Sequence, residues 1–341
     1  MEVGLLRPFI QPTFMSKFTS LVAKAKGIDI IYFRIRDIDQ ENHKINGKIL
    51  IDDEWVNIVT NIPKVIDVSA FTLKHKEEIE YLNKRSILTE NGKKRMTKAT
   101  LQTRLYEDEH FKKYIIPSED CSSFSVVEEF LNLYHTVIIK PVSGQKGQGI
   151  YKVSKQNENQ YELSYQQSKR MVSHQELNEF FTQDILSTER KHIVQKYITS
   201  TTPDGSPFDC RVHLEKNRKG EWTIPKIFVR IGLGQKVTSN ISQGGGSSDA
   251  DVFFKTYYKE KADDILVQLE QLGYDIAAKI EKLRSTELMT MGLDVGVDAD
   301  GELYIFEVNS APGTTRLRSD VVLLRTDYYK YLYSKKRPNK Q

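Results

Sequence analysis

Gly292-Leu293-Asp294-Val295-Gly296-Val297-Asp298-Ala299-Asp300-Gly301-Glu302-Leu303-Tyr304-Ile305-Phe306-Glu307-Val308-Asn309 is the stretch that decides the fold. Asp300-Gly301 between two apolar runs predicts a β-hairpin with a two-residue turn. Ala299 then pairs with Glu302, and Asp294 falls directly across from Glu307, with Asn309 on the same face two positions further on. Two carboxylates at that spacing repel each other unless a cation or a proton lies between them. With the Asn309 amide they make an oxygen-only set, which suits Mg²⁺ completed by waters and substrate phosphates. The alternative is a pair of solvated rim residues. Against it, Val295, Val297, Ile305 and Val308 give both strands a buried character, and charges at that depth need a reason. Asp298 and Glu302 read as surface charges beside the turn.

Upstream, the β-branched run Val137-Ile138-Ile139-Lys140-Pro141 leads into Val142-Ser143-Gly144-Gln145-Lys146-Gly147-Gln148-Gly149-Ile150. Glycines let a backbone approach a ligand closely and aim several N–H groups at one anion. Lys140 adds a point charge at the strand end, and Lys146 another at the loop tip. No Gly-Lys-Ser/Thr closes the loop, so it is not a Walker A motif, and the glycine order is not that of a dinucleotide fingerprint. A strand, glycine loop and strand covering phosphates is one reading; an ordinary flexible hairpin is the other.

Around these motifs the first 90 residues read as a small α/β unit, with strands at Val3–Leu6, Ile28–Phe33 and Lys64–Val68 and a helix at Phe14–Ala25. Lys84, Arg85, Lys93, Lys94, Arg95 and Lys98 form a basic run that a solvated helix and loop would explain. Helices are expected at 97–106 and 125–133, and the capping box Ser173-His174-Gln175-Glu176 predicts one reaching about Leu186. Strands are expected at 192–198, 211–215 and 223–232, and one long helix at 255–283. The tail from Lys330 is basic and expected to fray.

The chain has 341 residues, 39% of them hydrophobic and 28% charged, a globular mixture. Fifty Lys and Arg against 46 Asp and Glu leave an excess of four, which gives no argument for nucleic acid or a membrane surface. The two cysteines, Cys121 and Cys210, lie in no metal-spaced set. The opening residues lack a basic segment followed by an apolar core, and no run approaches a membrane span of about 18 apolar residues. An intracellular protein is expected.

Taken in order, these motifs resemble the ATP-grasp superfamily over about Lys98 to Arg318, and more closely its endospore coat-associated branch in spore-forming bacteria. The resemblance implies an ATP-grasp fold of the α+β and α/β kind, in which two α+β subdomains clasp ATP. These would occupy 91–330 (roughly 91–197 and 198–330), after a small α/β domain at 1–90 and before a basic tail at 331–341. Lys98 and Lys140 match the nucleotide-binding lysines. Ser143, Gly144, Lys146, Gly147 and Gly149 match the phosphate cover. Gln195-Lys196-Tyr197-Ile198 matches the hinge strand, with Gln195 and backbone groups of Lys196 and Ile198 at the adenine.

Asp294, Glu307 and Asn309 match ligands of Mg²⁺, which Mn²⁺ can replace. Arg211 of Asp209-Cys210-Arg211, Arg230, and Asn240 of the Ser239–Gly245 stretch match the reaction centre; ordinary strand-surface charge is the other reading of the two arginines. The activity implied is ATP-dependent conversion of a carboxylate to an acyl phosphate, then displacement by an amine, thiol or similar nucleophile. A spore-associated structural protein that binds ATP without ligation, and an ATP-dependent phosphotransferase, are the rival readings. Implied partners are small-molecule or peptide carboxylates and amines together with spore-coat proteins, in the cytoplasm, the mother cell or the coat. The Pro203–Pro207 spacing and the triple glycine ending at Gly246 match no single ligase subfamily, so the acceptor stays open.

Overall fold

Three sheets follow one another along the chain in the computed structural model, which describes residues 1–142, 148–232 and 245–335. The first contains β1 (Glu2–Leu6), β2 (Asp29–Phe33), β3 (Ile38–Asp39), β4 (Lys44–Ile51), β5 (Glu54–Asn61), β6 (Val65–Val68) and β7 (Ile87–Leu88), with helices α1 (Phe14–Ala25) and α2 (Lys76–Asn83). Its order is β3-β4-β2-β1-β6-β7, with β5 on β4. Strands β2, β1, β6 and β7 run parallel. Of these, β1, β2 and β6 are almost wholly buried, as parallel strands linked by crossovers must be, while the short edge strand β7 is half-buried.

Helices α3 (Lys98–Tyr106) and α4 (Glu109–Lys112) lead into the second sheet. It holds β8 (Ser118–Asp120), β9 (Thr136–Pro141), β10 (Tyr151–Lys155), β11 (Gln160–Tyr165), β12 (Ser168–Ser173) and β13 (His192–Lys196) in the order β12-β11-β10-β9-β13-β8. Helices α5 (Phe124–Tyr134) and α6 (His174–Phe180) cover one face, packing Val127, Leu131, Leu177 and Phe180 on Val137, Ile139, Val153 and Val194. Both bonds of the expected capping box open α6, and the chain continues as a π-helix to Leu186. Side chains alternate along a strand, so Ile138, Lys140 and Lys152 fall on the face away from these helices.

The third sheet is β16-β15-β14-β17-β18, made of β14 (Phe208–Lys216), β15 (Trp222–Ile231), β16 (Gly246–Asp249), β17 (Thr290–Val297) and β18 (Leu303–Asn309). Two helices, α7 (Ala250–Tyr257) and α8 (Ala262–Arg284), stand where one was expected. The break falls at Lys259, whose φ is +50°, and the preceding Tyr258 hydroxyl donates to the carbonyls of Val297 and Asp298. That bond ties the break to the end of β17. Ile265, Leu269, Leu272, Ile276 and Ile280 of α8 then close over Val212, Leu214, Leu293, Val295, Leu303 and Ile305.

The hairpin of β17 and β18 departs from the expected register, and the departure matters. Its loop has three residues, not two. Gly301 donates its N–H to the Asp298 carbonyl and has a φ of +89°, while the Asp298 carboxylate accepts from the N–H groups of Asp300 and Glu302. Val297 therefore pairs with Leu303 and Val295 with Ile305, one residue out of the expected register. A bulge between Asp294 and Val295, with Phe306 as the extra residue, restores Asp294 opposite Glu307. The loop and the bulge cancel at the carboxylates. Together they send Leu303, Ile305 and Val308 to the α8 side while Glu307 and Asn309 face the other way. The spacing of those three apolar residues, two and then three, was the sequence signal of a bulge.

Helix α9 (Arg318–Ser334) was not anticipated, and the supposedly frayed tail begins inside it. Tyr328, Tyr329 and Leu332 pack against Val3, Leu5, Ile30 and Val65 of the first sheet, and Lys335 pairs with Glu287. Residues 336–341 lie outside the described residues. Arg325 forks onto Glu215 of β14 at 3.0 and 2.8 Å, and the Tyr329 hydroxyl donates to Asp67 of β6 at 2.5 Å. The helix thereby joins the first sheet to the third. Both cysteines are buried and unpaired with each other.

The bulge depends on Gly296, because a Cβ there would lie 2.2 Å from the Phe306 ring. Gly296→Ala should cost about 1–3 kcal/mol in chemical denaturation, as overpacking does. Gly313→Ala, where nothing lies within 4 Å, should stay within about 0.5 kcal/mol of the parent.

Candidate active site

Antiparallel register collects a row of polar side chains on the face of the third sheet opposite α8. Asp209 pairs with Arg230, Arg211 with Asp294, and Asp294 with Glu307. Because Asp209 and Arg211 are two residues apart on β14, both cross-strand pairs share one face. The side chains complete the row. Arg230 forks onto Asp209 at 2.6 and 2.8 Å and reaches Asp294 Oδ2 at 3.0 Å. Arg211 forks onto Asp294, with its Nη2 at 3.0 Å from Oδ2. Asn309 Nδ2 donates to the same Oδ2 at 3.3 Å.

Burial alone would raise the Asp294 pKa, but the Arg230 and Arg211 charges outweigh it and hold the carboxyl below its ordinary value. Burial would likewise lower Arg230, yet Asp209 and Asp294 raise it. Arg230 is thus locked as a cation and Asp294 as an anion.

Two lysines approach the end of the row at β18. Lys98 is the first residue of α3, whose cap is the Thr97 side chain accepting from the Thr100 N–H. Its Nζ meets Glu307 Oε1 at 2.6 Å. Lys140, at the end of β9, donates to Gln195 Oε1 of β13 at 2.7 Å. Burial pushes the Lys140 pKa down to about 8, with Glu307 opposing and Lys98 reinforcing the shift. The sequence thus placed Lys98, Lys140, Gln195, Arg211, Arg230, Asp294, Glu307 and Asn309 in candidate roles, and the fold gathers them in one region. The four cations named so far outnumber the three carboxylates, and the positive excess suits an anionic ligand.

The segment before β8 stitches the two sheets together. Tyr114 accepts from the Ile305 N–H at 2.8 Å, and Pro117 accepts from the Lys196 N–H at 3.0 Å. Lys196 therefore has no N–H to offer an adenine edge, and the Ile198 carbonyl already accepts from Ser200. Gly149 has a φ of +73° just before β10, a backbone turn that favours glycine. Ser143, Gly144, Lys146, Gly147 and Asn240 lie outside the described residues.

Three residues of this region were given no role from the sequence. Asp209 holds Arg230; its parity with Arg211 was the available signal. Lys152 stands over the Tyr197 ring at 4.0 Å, and burial lowers its pKa. The alternation of β10, with Val153 inward, would have put Lys152 on the Lys140 face. Arg95, from the basic run, donates to the Ser310 hydroxyl at 3.1 Å, beside Asn309.

Among the described residues, no three His, Cys, Asp or Glu side chains gather as a ready metal cage. Glu307 and Asn309, with Asp294 behind them, offer oxygen atoms of the kind Mg²⁺ takes when phosphates complete its shell, so these residues fit that ion.

A family profile described as YheC/D like ATP-grasp matches residues 88–332. The chain belongs to this ATP-grasp family. Endospore coat-associated protein YheD of Bacillus subtilis (strain 168) is 25% identical over 335 residues, covering 91% of this chain and 70% of that protein. Its counterpart YheC is 23% identical over 319 residues, covering 90% and 86%. Among solved structures, ATP-grasp ligase PsnB complexed with precursor peptide PsnA2 and AMPPNP aligns with a TM-score of 0.56 at 12% identity, covering 98% of each chain. D-cycloserine synthetase DcsG aligns at 0.53 and 11%, covering 98% and 100%. At these identities the structural matches show the fold, and the multidomain α+β fold expected from the sequence is the ATP-grasp fold.

In this member of the family, a bound polyphosphate would stabilise the Lys140 ammonium and lift its pKa above the free value of about 8. ATP affinity should then be nearly flat as pH approaches about 8 and fall as pH rises toward the bound-state pKa. The loss is at most about tenfold per pH unit, and Lys140→Met should remove the slope. Calorimetric titrations across that range test it.

Proposed function

We propose that the chain is an ATP- and Mg²⁺-dependent ligase that activates a carboxylate as an acyl phosphate for attack by an amine or similar nucleophile. The observation that carries this reading is the meeting of the Asp209–Arg230–Asp294–Arg211 row with Glu307, Lys98 and Lys140 where two sheets face each other. Such a site suits a polyphosphate on its lysine side and a developing negative charge on its arginine side. ATP would lie between the β8–β13 and β14–β18 sheets, within roughly 91–197 and 198–330.

Lys98 and Lys140 would hold phosphates, with the 143–149 stretch covering them. Gln195 and the strand through Ile198 would set the adenine end. Glu307, Asn309 and Asp294 form the oxygen face for the metal. When bound there, Mg²⁺ would neutralise charge on the phosphates. Arg211 and Arg230 would steady the phosphoryl group in transfer and the tetrahedral oxygen that follows. Asn240 is assigned to the same centre by family resemblance alone. Nothing in this scheme needs a side-chain nucleophile.

The named relatives support a role in the mother cell or the spore coat, and the peptide complexes among the structural matches support peptide carboxylates as candidates beside small acids. No helix of the described residues is long and apolar enough to cross a membrane.

Screening mixtures of acids and amines for phosphate release from Mg²⁺·ATP tests the proposal. Release that requires both an acid and an amine is the expected result; release with an acid alone would mark a phosphotransferase. Nucleotide binding with no release under any mixture would favour the non-ligating coat protein. Glu307→Gln should lower stimulated release at least tenfold while leaving the melting temperature of the free protein nearly unchanged, since only its solvent-exposed pair with Lys98 is lost. Glu302→Gln, beside the loop, should match the parent in both measurements.

A further inference from the structure

We propose that the first sheet carries a second binding site, separate from the nucleotide site, for a carboxylate that bears a neighbouring amide and an apolar side chain. An N-acylated amino acid and the C-terminal residue of a peptide share that chemistry. A cavity of about 440 Å³ opens beside β2, β4 and β5, within the range of about 300–1,000 Å³ that small ligands fill. It lies at the carboxyl end of β2, under the segment that leaves the carboxyl end of β1, which is where open α/β sheets take ligands.

Register assembles the floor. Lys48 of β4 pairs with Tyr32 on one side and with Asn57 on the other, and Asn46 pairs with Val59, so these five side chains share one face. Lys48 Nζ donates to Gln11 Oε1 at 3.4 Å and meets no carboxylate among the described residues. Arg34, just beyond β2, spends Nε and Nη2 on Asp37 at 2.9 and 2.8 Å, which leaves its Nη1 for a ligand. All three charged groups line the cavity.

The roof is built to stay in place. Pro8 and Pro12 bracket Phe9-Ile10-Gln11 and restrict its backbone. The Tyr32 hydroxyl donates to the Phe9 carbonyl at 2.7 Å, and the Arg7 N–H donates to the Phe33 carbonyl at 3.0 Å. Ile10 and Val59 stand at the cavity 64% and 67% exposed, an apolar wall that a ligand would cover.

The charges select the ligand. Lys48 and Arg34 against Asp37 leave one positive charge, which a monocarboxylate matches, whereas Asp37 would repel the second charge of a phosphate. Lys48 and Nη1 of Arg34 supply charged N–H donors for that carboxylate. The Asn46 and Asn57 side chains each offer a donor and an acceptor, the two groups that a neighbouring amide needs.

Calorimetry on the full chain without nucleotide tests the site, with N-acetyl-leucine as the probe. It should bind saturably, and N-acetyl-leucinamide should bind at least about tenfold more weakly, the loss of one charge-assisted bond. Lys48→Met should weaken the acid by about the same factor, and so should Val59→Glu, which puts a carboxylate at an exposed position of the wall. Lys140→Met, in the nucleotide site, should leave the affinity within about threefold of the parent.

The peptide Ala-Ala-Ala-Leu with a free C-terminus distinguishes the two sources. Binding tighter than that of N-acetyl-leucine assigns the site to a peptide end, and equal or weaker binding assigns it to a free acid. Absence of saturable binding by both probes, or equal affinity for the acid and its amide, would overturn the carboxylate site. Affinity unmoved by Lys48→Met and Val59→Glu, or lost in Lys140→Met, would overturn its place in this cavity. Displacement of the probe by an equal concentration of inorganic phosphate would make it a phosphate site instead.

Discussion

A row of charges can lie on the covered face of a sheet only if each charge meets its opposite at hydrogen-bond distance. That constraint governs the third sheet. Alternate residues of β14 are Phe208, Cys210, Val212 and Leu214 toward α8, and Asp209, Arg211, His213 and Glu215 away from it, all buried. Desolvating so many ionic groups costs several kcal/mol each unless partners are fixed. The partners are fixed by register: Asp209 with Arg230, Arg211 with Asp294, and Glu215 with Arg325. Sliding β14 by one residue would turn the charges into the α8 core, so the charges themselves hold the register that builds the site.

The same row explains why the first sheet and α9 belong to the structure of the site. Glu215 is wholly buried and accepts from His213, Thr290 and Arg325. Arg325 comes from α9, which also presents Tyr329 to Asp67 at the end of β6, where Arg7 completes the group at 3.0 Å. Burial would raise the Asp67 pKa, and the charges of Arg7 and Arg325 lower it below the ordinary range. A chain of paired charges thus runs from the β1 and β6 ends into β14. The first sheet is held to the third by ionic contacts as well as by the apolar packing of Tyr328 and Leu332.

The sequence was legible where a local rule decides the outcome. Asp-Gly between apolar runs marked the hairpin, the Ser173–Glu176 box marked a helix start, and Val137–Lys140 marked a strand. It was illegible where tertiary contacts decide. The Phe306 bulge exists because Gly296 leaves room for a ring and because Tyr114 takes the Ile305 N–H, and neither fact is local. Helix α9 shows no clean apolar stripe because it is covered from several sides, by tyrosine packing on one and by ionic partners on another. The pairing of Asp294 with Glu307 was reached through an assumed turn that the protein does not make. The candidate residues on strands were recoverable from alternation, and the same alternation, counted from Arg211 and Val153, would have put Asp209 and Lys152 on the site's faces.

Exposure grades across the site in a way that separates fixed groups from exchangeable ones. Asp209, Arg211 and Asp294 are each less than a tenth exposed and sit on central strands β14 and β17. Glu307 lies on β18, the edge strand of the sheet, and Lys98 on the first turn of a helix, and their pair is open to solvent on both sides. A pair in that position gains little from its Coulomb attraction, so a ligand can take either partner at small cost. A buried fork such as Arg211 on Asp294 costs far more to open. Binding should therefore rearrange the lysine side of the site and leave the arginine side in place. That asymmetry suits chemistry in which a nucleotide must enter and leave while the groups facing the reacting phosphorus stay aimed.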